Sequence, residues 1–161
     1  MIGVAGMAKV FGYMLTWTTY GSWLQGDARG YVRKGKVLSG REQLAQANSR
    51  MRRGGGVKLD RTEREIIRRA ILAEGERIGE RILAIAVQSK HVHVVIGAGG
   101  RAISKVVSRL KCAAYYEAQK AGADRQLWTR GYDKRLCFDV EALRARVKYV
   151  EGHARFLKKS M

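Results

Sequence analysis

The stretch Arg81-Ile82-Leu83-Ala84-Ile85-Ala86-Val87-Gln88-Ser89-Lys90-His91-Val92-His93-Val94-Val95-Ile96-Gly97 joins two apolar runs through Ser89-Lys90 alone. Short apolar runs rich in β-branched residues, with so brief a connection, read as antiparallel strands joined by a tight turn, Arg81 to Gln88 and His91 to Gly97. Residues two apart in a strand share a face, so the imidazoles of His91 and His93 point the same way, close enough to share one metal ion.

Working outward, Thr62 followed by Glu65 matches a capping box, and Ile66, Ile67, Ala70, Ile71 and Ile78 recur at helical spacing, which predicts a helix from about 62 to 79. Beyond the hairpin, Ile103, Val106, Val107, Leu110, Ala114 and Tyr115 form the apolar side of a helix from about 102 to 121, with Gly122 as its stop. Residues 10 to 20 are aromatic and β-branched and read as a strand ended by Gly21. Leu127 to Phe138 offers one or two short strands around Gly131, and Asp139 is an N-cap for a last helix from 140 to about 158.

The order β, α, β, β, α, β, α predicts an α+β fold: a ferredoxin-like split βαβ sandwich, an antiparallel sheet with helices packed on one face. Between the first strand and the first helix, Gly26, Gly30, Gly35, Gly40 and Gly54-Gly55-Gly56 interrupt a stretch dense in Arg and Lys. This is a basic, Gly-rich insertion at about 24–60, with room for a short helix near Arg41 to Asn48. No internal repeat is present, and 161 residues make one domain, 1–161.

Thirty-two Lys and Arg against fourteen Asp and Glu give a formal charge of +18, spread along the whole chain. A polyanion is the expected partner. Nucleic acid is favoured over a membrane surface, since no apolar stretch approaches a spanning length. Met1 to Val10 lacks a basic leader, so the expected location is the cytoplasm. Cys112 and Cys137 are isolated, indicate neither a disulfide framework nor a zinc knuckle, and read as buried thiols.

Of the three histidines, the third, His153, follows Tyr149 by four residues in the last predicted helix and so lies on the same helix face. If that helix lies across the sheet, His91, His93 and His153 meet beside Tyr149. A divalent metal held there acts as a Lewis acid on a phosphoryl oxygen, and phosphate-ester chemistry favours magnesium or manganese. Tyr149 then serves as a nucleophile that forms a phosphotyrosine and conserves the energy of the broken phosphodiester for rejoining. Tyr115 and Tyr116 are rival nucleophiles without a histidine at a matching turn.

For holding a nucleic acid, Trp17, Tyr20, Trp23 and Tyr31 interleave with Arg29, Arg33 and Lys34, a pattern suited to base stacking along a basic groove; Trp17 and Trp23 equally suit the core. Lys105, Arg109 and Lys111, and then Arg130, Lys134 and Arg135, are candidates for phosphate contacts.

The residues resemble the single-tyrosine HUH transposases, in the branch that includes the REP-associated tyrosine transposases. The resemblance spans nearly the whole chain: Leu15-Thr16-Trp17-Thr18-Thr19-Tyr20-Gly21-Ser22-Trp23-Leu24 and Gly26-Asp27-Ala28-Arg29-Gly30, then His91-Val92-His93-Val94-Val95, then Leu127-Trp128-Thr129-Arg130-Gly131, and Tyr149-Val150. It implies the HUH fold, usually a homodimer, that nicks single-stranded DNA near hairpin-forming ends and stays joined to the 5′ phosphate through Tyr149. His91 and His93 match the motif that names the superfamily. Many relatives carry an amide side chain as third ligand where this chain has His153, and often proline where it has Gln25. A domesticated DNA-hairpin-binding protein that keeps this fold without cutting is the alternative reading. A replication or conjugation initiator is a third, for which the usual additional domains are missing.

Overall fold

The structure, a computed structural model, describes residues 9–22, 31–33, 36–38, 56–123 and 125–159. Its elements are β1 (Gly12–Thr18), β2 (Tyr31–Arg33), β3 (Lys36–Leu38), α1 (Arg61–Arg77), β4 (Ile82–Val87), β5 (His91–Gly97), α2 (Ile103–Lys120), β6 (Asp133–Cys137) and α3 (Val140–Lys159). Four strands form one antiparallel sheet in the order β4-β5-β1-β6, while β2 and β3 pair as a separate ribbon. This is the strand order of the split βαβ sandwich expected from the sequence.

Alternation divides the sheet into two faces. Leu15 and Trp17 of β1 and Val92, Val94 and Ile96 of β5 face α1 and α2, where they pack with Ile67, Ile71, Val106 and Leu110. Met14, Ala84, Ala86 and Val95 point the other way and pack with Val150, Val147 and Leu143 of α3. The expectation that the helices share one face therefore holds for α1 and α2 and is corrected for α3. Without α3 the apolar residues of the second face would stand in water, and covering them is worth about 1.5–3 kcal/mol for each large side chain.

The approach of α3 is close. A Cβ on Gly12 would lie 2.5 Å from the Ile96 carbonyl oxygen and 2.6 Å from Leu143 Cδ1, so only glycine fits at that crossing.

The helix caps locate the element ends. Asp60, not Thr62, begins α1: its carboxylate accepts from the Glu63 N–H at 2.8 Å while Glu63 accepts from the Asp60 N–H. The capping box is real but two residues earlier than the Thr62–Glu65 pair, because Asp60 carries the same spacing with a stronger acceptor. Asp139 caps α3 as expected, accepting from the Ala142 N–H at 2.6 Å.

Between Leu127 and Phe138 the chain forms β6, preceded by a single bridge from Trp128 to Thr19. Gly131, at φ 91°, makes the turn between them in a conformation that other residues rarely adopt. Trp17 is 2% exposed and meets Trp128 edge-on at 6.0 Å, which makes it a core residue rather than a stacking platform. Cys137 is buried as expected; Cys112 is exposed, on the polar side of α2. The helix expected near 41–48 lies outside the described residues.

Candidate functional site

At the end of the sheet where β5 begins, His91 and His93 project from the face that α3 covers. In the register of β1 and β5, His93 lies directly opposite Thr16 and His91 opposite Thr18. Val150 of α3 is fully buried against that face and anchors the helix, which carries the neighbouring Tyr149 and, one turn on, His153 to the imidazoles. The His93 ring centroid lies 4.7 Å from that of His91, 5.4 Å from His153 and 6.0 Å from Tyr149. Tyr149 and His153 are 4.3 Å apart. The four side chains named from the sequence are thus brought together from two distant segments.

Exposure within the cluster is graded. His93 is 7% exposed and Tyr149 48%, so the cluster has a buried floor and an open tyrosine at its rim. Burial first, then the neighbouring His91 and His153, lowers the His93 imidazole to about 4. Burial and then His153 lower that of His91. Both are neutral at pH 7, the state in which an imidazole nitrogen can hold a metal.

Two further bonds orient the rings. The carbonyl of Tyr149 can only accept, so His153 Nδ1 donates to it at 2.9 Å and leaves Nε2 with the lone pair. His93 Nδ1 lies 2.9 Å from Thr16 Oγ1.

Imidazoles that share one ion, each at about 2.0–2.1 Å through nitrogen, have ring centres roughly 5 Å apart. The spacings of 4.7 and 5.4 Å match that figure, and the donor set suits a divalent transition metal and accepts manganese. The nitrogens do not converge: among the described residues no three His, Cys, Asp or Glu side chains are set around a common point. The residues fit a metal in kind, and the two spacings around His93 suit one, but the nitrogens as placed do not form a closed site.

The rival tyrosines are on the other side of the sheet. Tyr115 packs from α2 against the core of the opposite face, and Tyr116 is exposed on the same helix.

The proposed DNA contacts are distributed unevenly. Lys105 and Arg109 are exposed on α2, and Arg130 is exposed in the turn before β6. Lys134 and Arg135 are exposed on β6, where alternation sends them to opposite faces; Arg135 shares the histidine face and pairs with Asp133 at 3.3 Å. Lys111 also has a structural role: its half-buried ammonium donates to the carbonyls of Thr129 at 2.8 Å and Gly131 at 3.0 Å, and so ties α2 to that turn. Arg29 and Trp23 lie outside the described residues.

Thr16 is the site residue that the sequence reading did not single out. The signal was present in the alternation of Thr16 and Thr18 with buried Leu15 and Trp17, which gives β1 one polar flank at the end where it meets the histidine strand.

No helix among the described residues is long and apolar enough to cross a membrane. No family model matches the chain, and no curated protein matches it. Among solved structures, a protein of Deinococcus radiodurans R1 described as a transposase is 18% identical, covering 92% of this chain and 94% of that one, with a TM-score of 0.48. A REP-associated tyrosine transposase, solved bound to a REP hairpin, is 14% identical with a TM-score of 0.53. That likeness covers 88% of this chain but 65% of the other, so the chain spans less than two thirds of that neighbour's length. The likeness is one of fold, and it agrees with the resemblance carried by the sequence motifs: the chain folds like a REP-associated tyrosine transposase.

Proposed function

We propose that this protein is a transposase-like single-stranded DNA endonuclease and strand transferase, with Tyr149 as its nucleophile. The observation that carries the reading is the convergence of Tyr149 with His91, His93 and His153 at one end of the sheet, in a chain of charge +18. The fold shared with a REP-associated tyrosine transposase supports it.

In this reading the Tyr149 oxygen attacks phosphorus, the bond to the 3′ oxygen breaks, and the DNA leaves with a free 3′ hydroxyl while its 5′ phosphate is esterified to tyrosine. One ester replaces another, so a DNA hydroxyl can reverse the exchange and rejoin strands without an external energy source. His91, His93 and His153 would hold a divalent cation, magnesium or manganese, which when bound polarises a phosphoryl oxygen. The open position of Tyr149 lets a strand reach it, and the buried floor keeps the imidazoles in place. The neighbour's hairpin complex supports hairpin-forming DNA as substrate, and a homodimer and a cytoplasmic location belong to the same proposal.

The experiment is incubation with labelled single-stranded hairpin oligonucleotides and manganese, followed by a denaturing gel. A covalent adduct that Tyr149→Phe abolishes is the expected result. An adduct that survives in Tyr149→Phe refutes the nucleophile, and hairpin binding with no adduct in wild type turns the assignment to a binder that does not cut.

A further inference from the structure

We propose that Thr16 is a positioning residue that fixes which nitrogen His93 presents to the site, through the contact between its hydroxyl and His93 Nδ1. The inference rests on the functional reading above for what the presented nitrogen does, and on geometry alone for the bond itself.

Thr16 and His93 are direct cross-strand partners in the central pair of the sheet, so the backbone on both sides of the contact is held by ladder hydrogen bonds. The Oγ1 to Nδ1 distance is 2.9 Å, a full hydrogen bond. His93 is buried, and an imidazole withdrawn from water depends on its protein partners to select a tautomer. A hydroxyl that donated to Nδ1 would put the proton on Nε2; in the arrangement we infer, the hydroxyl instead accepts from Nδ1–H and Nε2 keeps its lone pair. His153 shows the same division, its Nδ1 spent on the Tyr149 carbonyl. Two imidazoles on different elements thus each have Nδ1 at an oxygen, and the parallel with His153 favours the same division in His93. The partner of one is backbone, which mutation cannot remove; the partner of the other is the side chain of Thr16, which it can.

A hydroxyl in this place also suits its strand. Threonine is β-branched and favours extended backbone, so valine replaces it with nearly the same shape and without the hydroxyl, while serine keeps the hydroxyl on a smaller side chain. Tautomers read by long-range nitrogen–proton NMR on the full-length, metal-free chain test the proposal directly. The chain has three histidines, and His91→Ala and His153→Ala assign the signals.

Wild type should show His93 protonated on Nδ1. Thr16→Val should move it toward the Nε2–H form, and Thr16→Ser should keep the wild-type pattern. Manganese affinity, read by calorimetry, should fall about 10–100-fold in Thr16→Val and return in Thr16→Ser, the range that outer partners of ligand histidines carry. An unchanged tautomer and affinity in Thr16→Val overturns the proposal. So does a wild-type spectrum with His93 protonated on Nε2, which decides the matter even if Thr16→Val fails to fold. Absence of a DNA adduct in wild type would overturn the proposed function and leave the tautomer result standing, so the two failures are distinct.

Discussion

Tyr149 and His153 stand one helical turn apart with ring centroids 4.3 Å from each other, and the imidazole Nδ1 of His153 is bonded to the carbonyl of Tyr149 itself. The proposed nucleophile and the donor beside it are therefore set by one stretch of α3, so a change in the ring of His153 should be felt as a change in reaction rate more than in fold. His153→Ala should slow adduct formation at least about tenfold, the lower bound carried even by outer partners of metal ligands, with little effect on the melting temperature of the metal-free chain. His153→Gln should retain more activity than His153→Ala, since an amide oxygen can also donate a lone pair to a cation. Equal rates for His153→Ala and wild type would remove His153 from the site.

The depressed His93 makes a prediction about acid. Its folded value is about 4, set by burial and by His91 and His153, whereas an unfolded histidine titrates near about 6.5. Between those values the unfolded chain binds more protons than the folded one, so stability falls as pH drops from about 6.5 to about 4. His93 alone accounts for up to about 3 kcal/mol over that window, and His91 shifts in the same direction. Denaturant titrations at pH 7 and pH 4.5 check the point against His93→Gln, which should lose much of the pH dependence. A variant as acid-sensitive as wild type would place the effect in other groups.

Much of this arrangement was legible in the sequence because it is written in short periods. The two apolar runs between Arg81 and Gly97, with their brief link, read as both strands, the two-residue step from His91 to His93 put them on one face, and the four-residue step from Tyr149 to His153 put those two on one helix face. What no period encodes is which face of the sheet an amphipathic helix covers. That choice depends on Gly12, Ala84 and Ala86 being small enough to admit α3, a property of facing surfaces rather than of α3. The tie that Lys111 makes is hidden for a similar reason: a lysine on a helix reads as a surface cation until the carbonyls of Thr129 and Gly131 are seen to fold back onto it.

That contact separates Lys111 from the other cations. Its ammonium is half-buried between two carbonyls, and burial lowers its proton affinity. Lys111→Met should cost about 1–3 kcal/mol of stability, since two carbonyls lose a charged donor, and should leave the salt dependence of DNA binding unchanged. Lys105→Ala, Arg130→Ala or Arg135→Ala should instead leave the melting temperature nearly unchanged, and each that contacts phosphate should reduce the salt slope by about one. A reduced slope in folded Lys111→Met would return that residue to the DNA interface.

Two glycines on either side of the α3 packing make opposite predictions. At Gly12 an added Cβ would meet the Ile96 carbonyl at 2.5 Å and Leu143 at 2.6 Å, and the first of these is backbone that cannot turn aside. Gly12→Ala should therefore destabilise by about 1–3 kcal/mol and, by pushing α3 off the sheet, reduce adduct formation as well. Gly152 lies in α3 between Tyr149 and His153 with open space where its Cβ would be, so Gly152→Ala should stabilise the chain by about 0.5–1 kcal/mol through its helix propensity alone. Thermal melts and the adduct assay on both variants decide the matter. If α3 works as the continuous helix seen here, Gly152→Ala keeps its activity; a variant that gains stability yet loses the adduct would mean that α3 must bend at Gly152 to bring Tyr149 to the phosphate.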